Sequence, residues 1–437
     1  MNLASMARAR AATGDPVRVG LIGAGKFGSM FLAQVPSTPG LEVAAIADLD
    51  PERAREACRA VGWDAERIGR TVFLRSGEEL CAMGDVEVVI EATGNPMAGV
   101  GHALAAIEAR KHLVMVNVEA DVLCGPALAR RAREAGVVYS MAYGDQPALV
   151  AELVDWARAA GFAVQAAGKG TKYLPEYHSV TPDGVWAHYG LTPEEARAAG
   201  MNAQMFNSFL DGTKSAIEMA AIANACGLSA PEEGLGFPPC GVDDLAHALR
   251  PRALGGQVEG RGVVEVVSSL ERDGRPVFRD LRWGVYVVLE APTDYAAACF
   301  RQYGLPTDST GRFAAMYKPY HLIGLELGIS VLSAALRREP TGQARLFAAD
   351  AVAVAKRDLE PGERLNGEGG YTVWGRCLPA SRSLALGALP IGLAHGLRVV
   401  RKVAKDALLT RTDVEPIPQD VVAELRAETE AMAGSPG

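Results

Sequence analysis

Cysteine is sparse and unpaired in this chain: Cys58, Cys81, Cys124, Cys226, Cys240, Cys299 and Cys377 are scattered, odd in number and never arranged as C-x-x-C. That pattern excludes a disulfide framework and a thiolate zinc site, and it suits a reducing, cytoplasmic setting. No excess of positive charge exists, since 44 Lys and Arg face 52 Asp and Glu for a net charge of -8. A broad, sequence-independent grip on nucleic acid is thereby disfavoured, and an anionic ligand must find a local basic pocket. Long hydrophobic runs are also missing. The most apolar late stretch, 384–400, is interrupted by Pro390, His395 and Arg398, and the first fifteen residues carry Arg8 and Arg10 without an apolar core. Neither export nor a membrane span is expected. What remains is an ordinary globular composition, 49% hydrophobic and 22% charged over 437 residues, enough for two to four domains at roughly 150 residues each.

Apolar runs at 17–22, 41–47, 86–92, 112–117 and 137–142 alternate with helical patterns at 51–61, 101–109 and 126–135. Strands alternating with helices imply an α/β fold with a parallel, doubly wound sheet, placed here at residues 16–150. From 151 to 345 the pattern changes to an α+β domain. It has a strand at 163–167, a Pro/Gly/aromatic loop at 168–190, a helix at 208–226, antiparallel strands at 263–268 and 281–289, and a helix at 321–337. A small, mostly β domain follows at 346–415, with a strand at 399–404, and a helical tail at 416–437. The apolar strands of the central domain need a second surface, from which a homodimer is expected.

The segment Gly23-Ala-Gly25-Lys26-Phe27-Gly28 sits between the first strand and a helix, and Asp48 closes the second strand 20 residues past Gly28. Glycines there let the chain turn sharply, approach a pyrophosphate and pack helix on strand, while the acidic residue meets a ribose hydroxyl. We read this as a dinucleotide site. Asp48 favours NAD, whereas Arg53 and Arg55 in the next helix suit the 2′-phosphate of NADP, so both cofactors stay open. The turn Thr93-Gly94-Asn95, after the strand ending at Glu91, reads either as part of the nicotinamide side or as a plain strand-to-helix turn.

Longer strings carry a resemblance. The nucleotide domain with Glu91-Ala-Thr-Gly94 and Lys111-His-Leu-Val-Met-Val-Asn117 resembles the homoserine dehydrogenase superfamily. The segments 142–147, 168–175, 202–218 and 317–324 are similar to a bacterial offshoot containing the 1-deoxy-D-xylulose 5-phosphate reductoisomerase-like enzymes, and 355–363 resembles their appended SAF module. The resemblance implies an NADP-dependent homodimeric oxidoreductase with a role in isoprenoid precursor synthesis. One position departs: the lysine that homoserine dehydrogenases place after the asparagine matching Asn117 is Val118 here, followed by Glu119. Proton transfer must then fall to another residue.

Asp211, Lys214 and Glu218 are spaced three and four apart, which puts all three on one face of the helix from 208. They read as a catalytic carboxylate, ammonium and carboxylate, or as a solvated ladder. Lys169 and Lys172 alternate with glycines in a flexible basic loop suited to a phosphate or carboxylate, and His321 begins a helix where it could donate a proton or touch the nicotinamide. His178 and His188 have weaker claims. No metal cluster stands out, although Asp145, Asp211 and Glu218 could hold a divalent ion if the fold gathers them. The expected reaction is hydride transfer to or from a small anionic hydroxycarbonyl substrate, with Lys214, or else Lys169 or Lys172, protonating the oxygen that Asp211 orients. The competing readings are a homoserine- or sugar-acid-type dehydrogenase and a non-catalytic dinucleotide-binding protein.

Overall fold

The computed structural model describes residues 2–434. The chain forms two compact units, one of residues 1–152, 321–345 and 424–429, the other of 153–320, 346–423 and 430–437. This differs from the division expected above. Residues 321–345 pack with the N-terminal unit, and the C-terminal β-rich stretch packs with the central one.

The first unit is built on six parallel strands, β1 (Val17–Ile22), β2 (Leu41–Ala47), β3 (Val72–Leu74), β4 (Val88–Glu91), β5 (His112–Met115) and β6 (Tyr139–Met141). Their order is β3-β2-β1-β4-β5-β6, so the chain reverses direction across the sheet between β1 and β4. The strands are nearly continuous apolar runs because both faces are covered, as a doubly wound sheet requires. Helix starts follow local capping chemistry. Pro51 opens the Pro51–Ala60 helix behind Asp50, whose side chain accepts from the N–H groups of Glu52 and Arg53. Asn117 caps the helix Val118–Glu134, which therefore begins well before the expected 126, with Pro126 inside it. A helix over Leu3–Ala12 was not expected; it contributes Leu3 and Ala7 to the core, and Gly40 is required beneath it because a Cβ there would lie 2.0 Å from the Ala7 carbonyl oxygen.

The second unit holds a mixed sheet in the order β10-β9-β7-β8, from β7 (Ala163–Thr171), β8 (Val263–Ser268), β9 (Val285–Glu290) and β10 (Phe313–Lys318). β8 and β9 do not pair with one another. β7 lies between them, parallel to β8 and antiparallel to β9. Their apolar residues are already buried within one chain, which removes the physical reason given for a homodimer. Two further strands, β11 (Ala349–Ala355) and β12 (Val373–Pro379), form an antiparallel ribbon. The expected strand at 399–404 is only two isolated bridges, Val399 to Val414 and Val403 to Leu359. The tail forms the helix Val421–Glu430, and residues 435–437 of the expected tail lie outside the described residues.

Three expectations that bear on the site need correction. Lys169 is in β7, not in a flexible loop; Gly168 and Gly170 are there because added Cβ atoms would each come within 1.9 Å of a backbone oxygen, of Glu265 and Leu281 respectively. The helix expected at 208–226 is broken into Ala203–Leu210 and Thr213–Cys226 by Gly212, which adopts φ +90°. Finally, His321 precedes a turn rather than opening a helix, since the first helical residue is Gly328. Among the described residues no helix is long and apolar enough to cross a membrane.

Candidate functional site

In the first unit the carboxyl ends of β1 and β4 lie side by side, with Ile22 paired to Glu91, and two turns emerge together there. Gly23 adopts φ +95°, and a Cβ on it would lie 2.7 Å from the Ala92 oxygen. Gly28 packs so tightly that a Cβ would lie 2.5 Å from the Gly23 oxygen, whereas a Cβ on Gly25 would meet nothing within 4 Å. Two glycines thus shape the turn, and the third keeps its outer side open. Lys26, exposed, and Phe27, half-buried, begin the helix Lys26–Gln34 whose first N–H groups face the same way out of the turn. This is the cradle a pyrophosphate needs.

Asp48 fixes the cradle to the end of β2. Its nearly buried carboxylate accepts from the N–H groups of Ala24 and Asp50, each at 3.0 Å, and is held by the Arg53 guanidinium at 2.9 and 3.1 Å. Arg53 is 63% exposed and so stands at the rim. Arg55 turns instead to Glu52, at 2.7 Å, and lies over the Phe73 ring. Across the crevice the exposed turn Thr93-Gly94-Asn95 is anchored from below: Glu91 accepts from the Thr93 hydroxyl, and the Asn117 side-chain amide donates to the Asn95 carbonyl at 2.8 Å. Asn95 caps the following helix, Pro96–Glu108.

The second unit gathers some of the proposed catalytic residues and separates others. Lys169 on β7 forms a buried ion pair with Glu218 on the helix Thr213–Cys226. Lys214, half-buried, lies one turn before Glu218 on that helix. Asp211 does not share their face, because it precedes the break. Its fully buried carboxylate pairs with Lys356 at 2.7 Å and accepts from the Thr213 N–H at 2.8 Å. Burial pushes the Asp211 carboxyl above its ordinary value, against the pull of Lys356. Lys172 donates to the His188 carbonyl, and burial with the nearby Arg282 charge lowers its pKa. His178 is structural in character. Stacked on Trp374 at 3.7 Å, it donates from Nδ1 to the Asp211 carbonyl and accepts at Nε2 from the Tyr173 hydroxyl, and burial brings its pKa down to about 4. His188 packs edge-on against Tyr177, and burial lowers its pKa as well. His321 belongs to the first unit.

Asp145, Asp211 and Glu218 do not assemble into a metal site: among the described residues no group of three or more His, Cys, Asp or Glu side chains could hold an ion. Sequence reasoning missed Lys356, which is visible only as a lysine ending an apolar strand, and the half-buried His102 beside Glu91; it quoted Glu91 as part of the turn without seeing its carboxylate as the support beneath Thr93. It also missed Glu265, whose carboxylate accepts from the N–H groups of Gly236, Phe237 and Val266 and is pushed up to about 7 by burial. A lone acid in the run Val-Val-Glu-Val-Val was the available signal.

Comparison with known proteins agrees with the two-part geometry. Residues 17–143 match the family described as an oxidoreductase family with an NAD-binding Rossmann fold, and residues 144–327 match the family described as oxidoreductase DRL, catalytic domain. The first segment is thus similar to NAD-binding domains and the second to an oxidoreductase catalytic domain. Curated relatives include inositol 2-dehydrogenases of Burkholderia cenocepacia and Burkholderia orbicola, each 33% identical over 81 residues, 18% of this chain and only 22% of the relative. Solved structures with some likeness include myo-inositol dehydrogenase from Lactobacillus casei with NAD(H) and myo-inositol, at 21% identity and TM-score 0.28, covering 37% of this chain and 50% of that one. A probable dehydrogenase from Thermotoga maritima shares 13% identity at TM-score 0.38, covering 74% of this chain and 90% of that one. These matches correct the resemblance drawn from short strings. The assignment to the homoserine dehydrogenase superfamily and its 1-deoxy-D-xylulose 5-phosphate reductoisomerase-like offshoot is overturned by the two family matches, and neither the SAF module nor the isoprenoid role has support.

Proposed function

We propose that this chain is an NAD(P)-dependent dehydrogenase of a small, hydroxyl-rich anionic compound of the sugar-acid kind. The observation that carries the substrate class is the buried Lys169–Glu218 pair, with the half-buried Lys214 one turn before Glu218 on the same helix. Two lysines on adjoining elements, Lys169 on β7 and Lys214 on the helix packed with it, suit an anionic substrate in a chain whose net charge is -8. The partial match to inositol 2-dehydrogenases, enzymes of a polyhydroxylated substrate, supports the hydroxyl-rich part of the reading.

Bound NAD(P) supplies or accepts the hydride. The chain's own groups then have distinct tasks. The cradle at Gly23, Gly25 and Gly28 receives the pyrophosphate, and the turn Thr93-Gly94-Asn95 faces the same crevice. Arg53 neutralises Asp48, so the ribose end need not reject a 2′-phosphate, and NADP is admitted alongside NAD. Lys214 takes or returns the proton of the substrate hydroxyl, while Lys169, fixed by Glu218, holds the anionic group. Asp211 acts by anchoring the chain at Lys356 rather than by touching substrate. The test is a panel of sugar acids, polyols and their ketones assayed with oxidised and reduced cofactor by absorbance. Turnover on sugar acids is expected; turnover on neutral polyols alone would reject the anionic preference, and cofactor binding without any turnover would favour a non-catalytic role.

A further inference from the structure

The cofactor turn is supported by a carboxylate that the reading above does not use. Glu91 is fully buried at the end of β4. Its Oε1 accepts from the Thr93 hydroxyl at 2.5 Å, from the Thr93 N–H at 3.3 Å and, at 3.2 Å, from Nδ1 of His102 on the helix Pro96–Glu108. A carboxylate can only accept, so the one hydrogen of the Thr93 hydroxyl is committed to Glu91. The Asn95 N–H, at 3.4 Å, faces the same hydroxyl oxygen as a donor. What the oxygen still offers to the crevice is a lone pair. Gly94, with φ +70° and nothing within 4 Å of where a Cβ would stand, leaves that approach open.

We propose that Glu91 makes the Thr93 hydroxyl an acceptor-only group for an N–H or O–H donor of the bound dinucleotide, with Glu91 the positioning residue and Thr93 the contacting one. The two available donors on that half of the cofactor are the carboxamide N–H and a ribose hydroxyl. The inference rests on NAD(P) occupying this crevice, which binding to the unaltered protein tests separately. His102, held at Nδ1 and 3.9 Å at Nε2 from Glu78, keeps the Glu91 carboxylate from turning away.

The experiment titrates oxidised NAD, oxidised NADP and the 3-acetylpyridine analogue of the tighter cofactor, which lacks the amide N–H, into wild type, Thr93→Val, Thr93→Ser and Glu91→Gln, with thermal unfolding of each. Thr93→Val should weaken binding about tenfold, the loss of roughly one net hydrogen bond to the cofactor, with a melting temperature lowered only by the lost bond to Glu91 and a single cooperative transition retained. Thr93→Ser should bind as wild type. Glu91→Gln should bind at least as poorly as Thr93→Val, because its amide can donate to the hydroxyl and turn the hydrogen toward the cofactor; should this buried variant fail to fold, the Thr93 pair decides. An analogue that binds wild type about tenfold more weakly and is indifferent to Thr93→Val identifies the carboxamide as the donor, and equal losses for analogue and natural cofactor identify the ribose. Wild-type affinity in Thr93→Val, or equal losses in Thr93→Ser and Thr93→Val, would overturn the proposal. Failure of wild type to bind either cofactor would instead reject the crevice as the dinucleotide site.

Discussion

Replacing Lys356 with Met should expose what Asp211 is for. Lys356 is 3% exposed, and its ammonium lies 2.7 Å from Asp211 Oδ2, 2.7 Å from the Val180 carbonyl and 2.7 Å from the Gly370 carbonyl. Methionine keeps most of the stem volume and removes every one of those contacts. The larger consequence falls on Asp211, which is 0% exposed and would be left without a counter-ion, so that it must either hold an unpaired charge or take up a proton. Removing one partner of a buried pair costs about 3–5 kcal/mol, which would move a urea transition followed by tryptophan fluorescence to clearly lower denaturant. The double variant Lys356→Met/Asp211→Asn should recover part of the loss, because it removes the orphaned charge, and the coupling read from the four proteins should exceed about 1 kcal/mol. A cost below about 1 kcal/mol for Lys356→Met, or strictly additive effects in the double variant, would refute the argument that this pair clamps the chain. Asp211→Asn that unfolds like wild type yet loses turnover would return Asp211 to the chemistry.

Other outcomes follow from the same geometry. Gly25→Val should leave the melting temperature unchanged and abolish cofactor binding in a calorimetric titration, since its side chain meets only the crevice, whereas Gly28→Ala should lower the melting temperature because its Cβ would lie 2.5 Å from the Gly23 oxygen. Burial holds the Glu265 proton up to about 7, against an ordinary value of 4.5. The folded state therefore binds that proton more tightly than the unfolded one, and its contribution to stability, on the order of 3 kcal/mol, is present below pH 4.5 and lost as pH rises through about 7. His178, brought down to about 4, acts in the opposite sense, adding stability above its ordinary value of 6.5 and losing it as pH falls toward 4. The two partly cancel, so the check is the difference between wild type and Glu265→Gln in denaturant midpoint across pH 4 to 8, which should show the Glu265 slope alone. Lys214→Ala should lower turnover by roughly a hundredfold with cofactor affinity nearly unchanged, as expected when a proton-transfer group is removed, and steady-state kinetics would show it.

The nucleotide domain was legible because its signals are local. An apolar run, three glycines at fixed offsets and an acid closing the next strand determine a turn without help from distant residues, and β1 and β2 match the expected 17–22 and 41–47. The catalytic half was less legible because long-range contacts decide it. Whether 208–226 is one helix depends on Gly212, which adopts φ +90° and where a Cβ would lie 3.1 Å from the ring of His178, a residue far away in sequence. The spacing of Asp211, Lys214 and Glu218 was therefore real as a pattern and misleading as geometry. Lys169 and Lys172 looked like a mobile basic loop for the same reason: glycine permits flexibility and also permits close strand packing, and only the backbone oxygens of Glu265 and Leu281 tell which applies. Lys356 could not be paired with Asp211 from sequence at all. Short shared strings pointed to the wrong superfamily, since strand-turn-helix segments recur wherever a Rossmann domain meets a second domain.

The account turns on hydride transfer, and isotopic labelling tests it most directly. Reduced NAD and NADP carrying deuterium at the transferable C4 position would be incubated with the protein and the panel of sugar-acid ketones, and the products examined by mass spectrometry. The account predicts that at least one anionic product gains a single deuterium and that Lys214→Ala suppresses its formation. Cofactor binding with no deuterium in any product would contradict it.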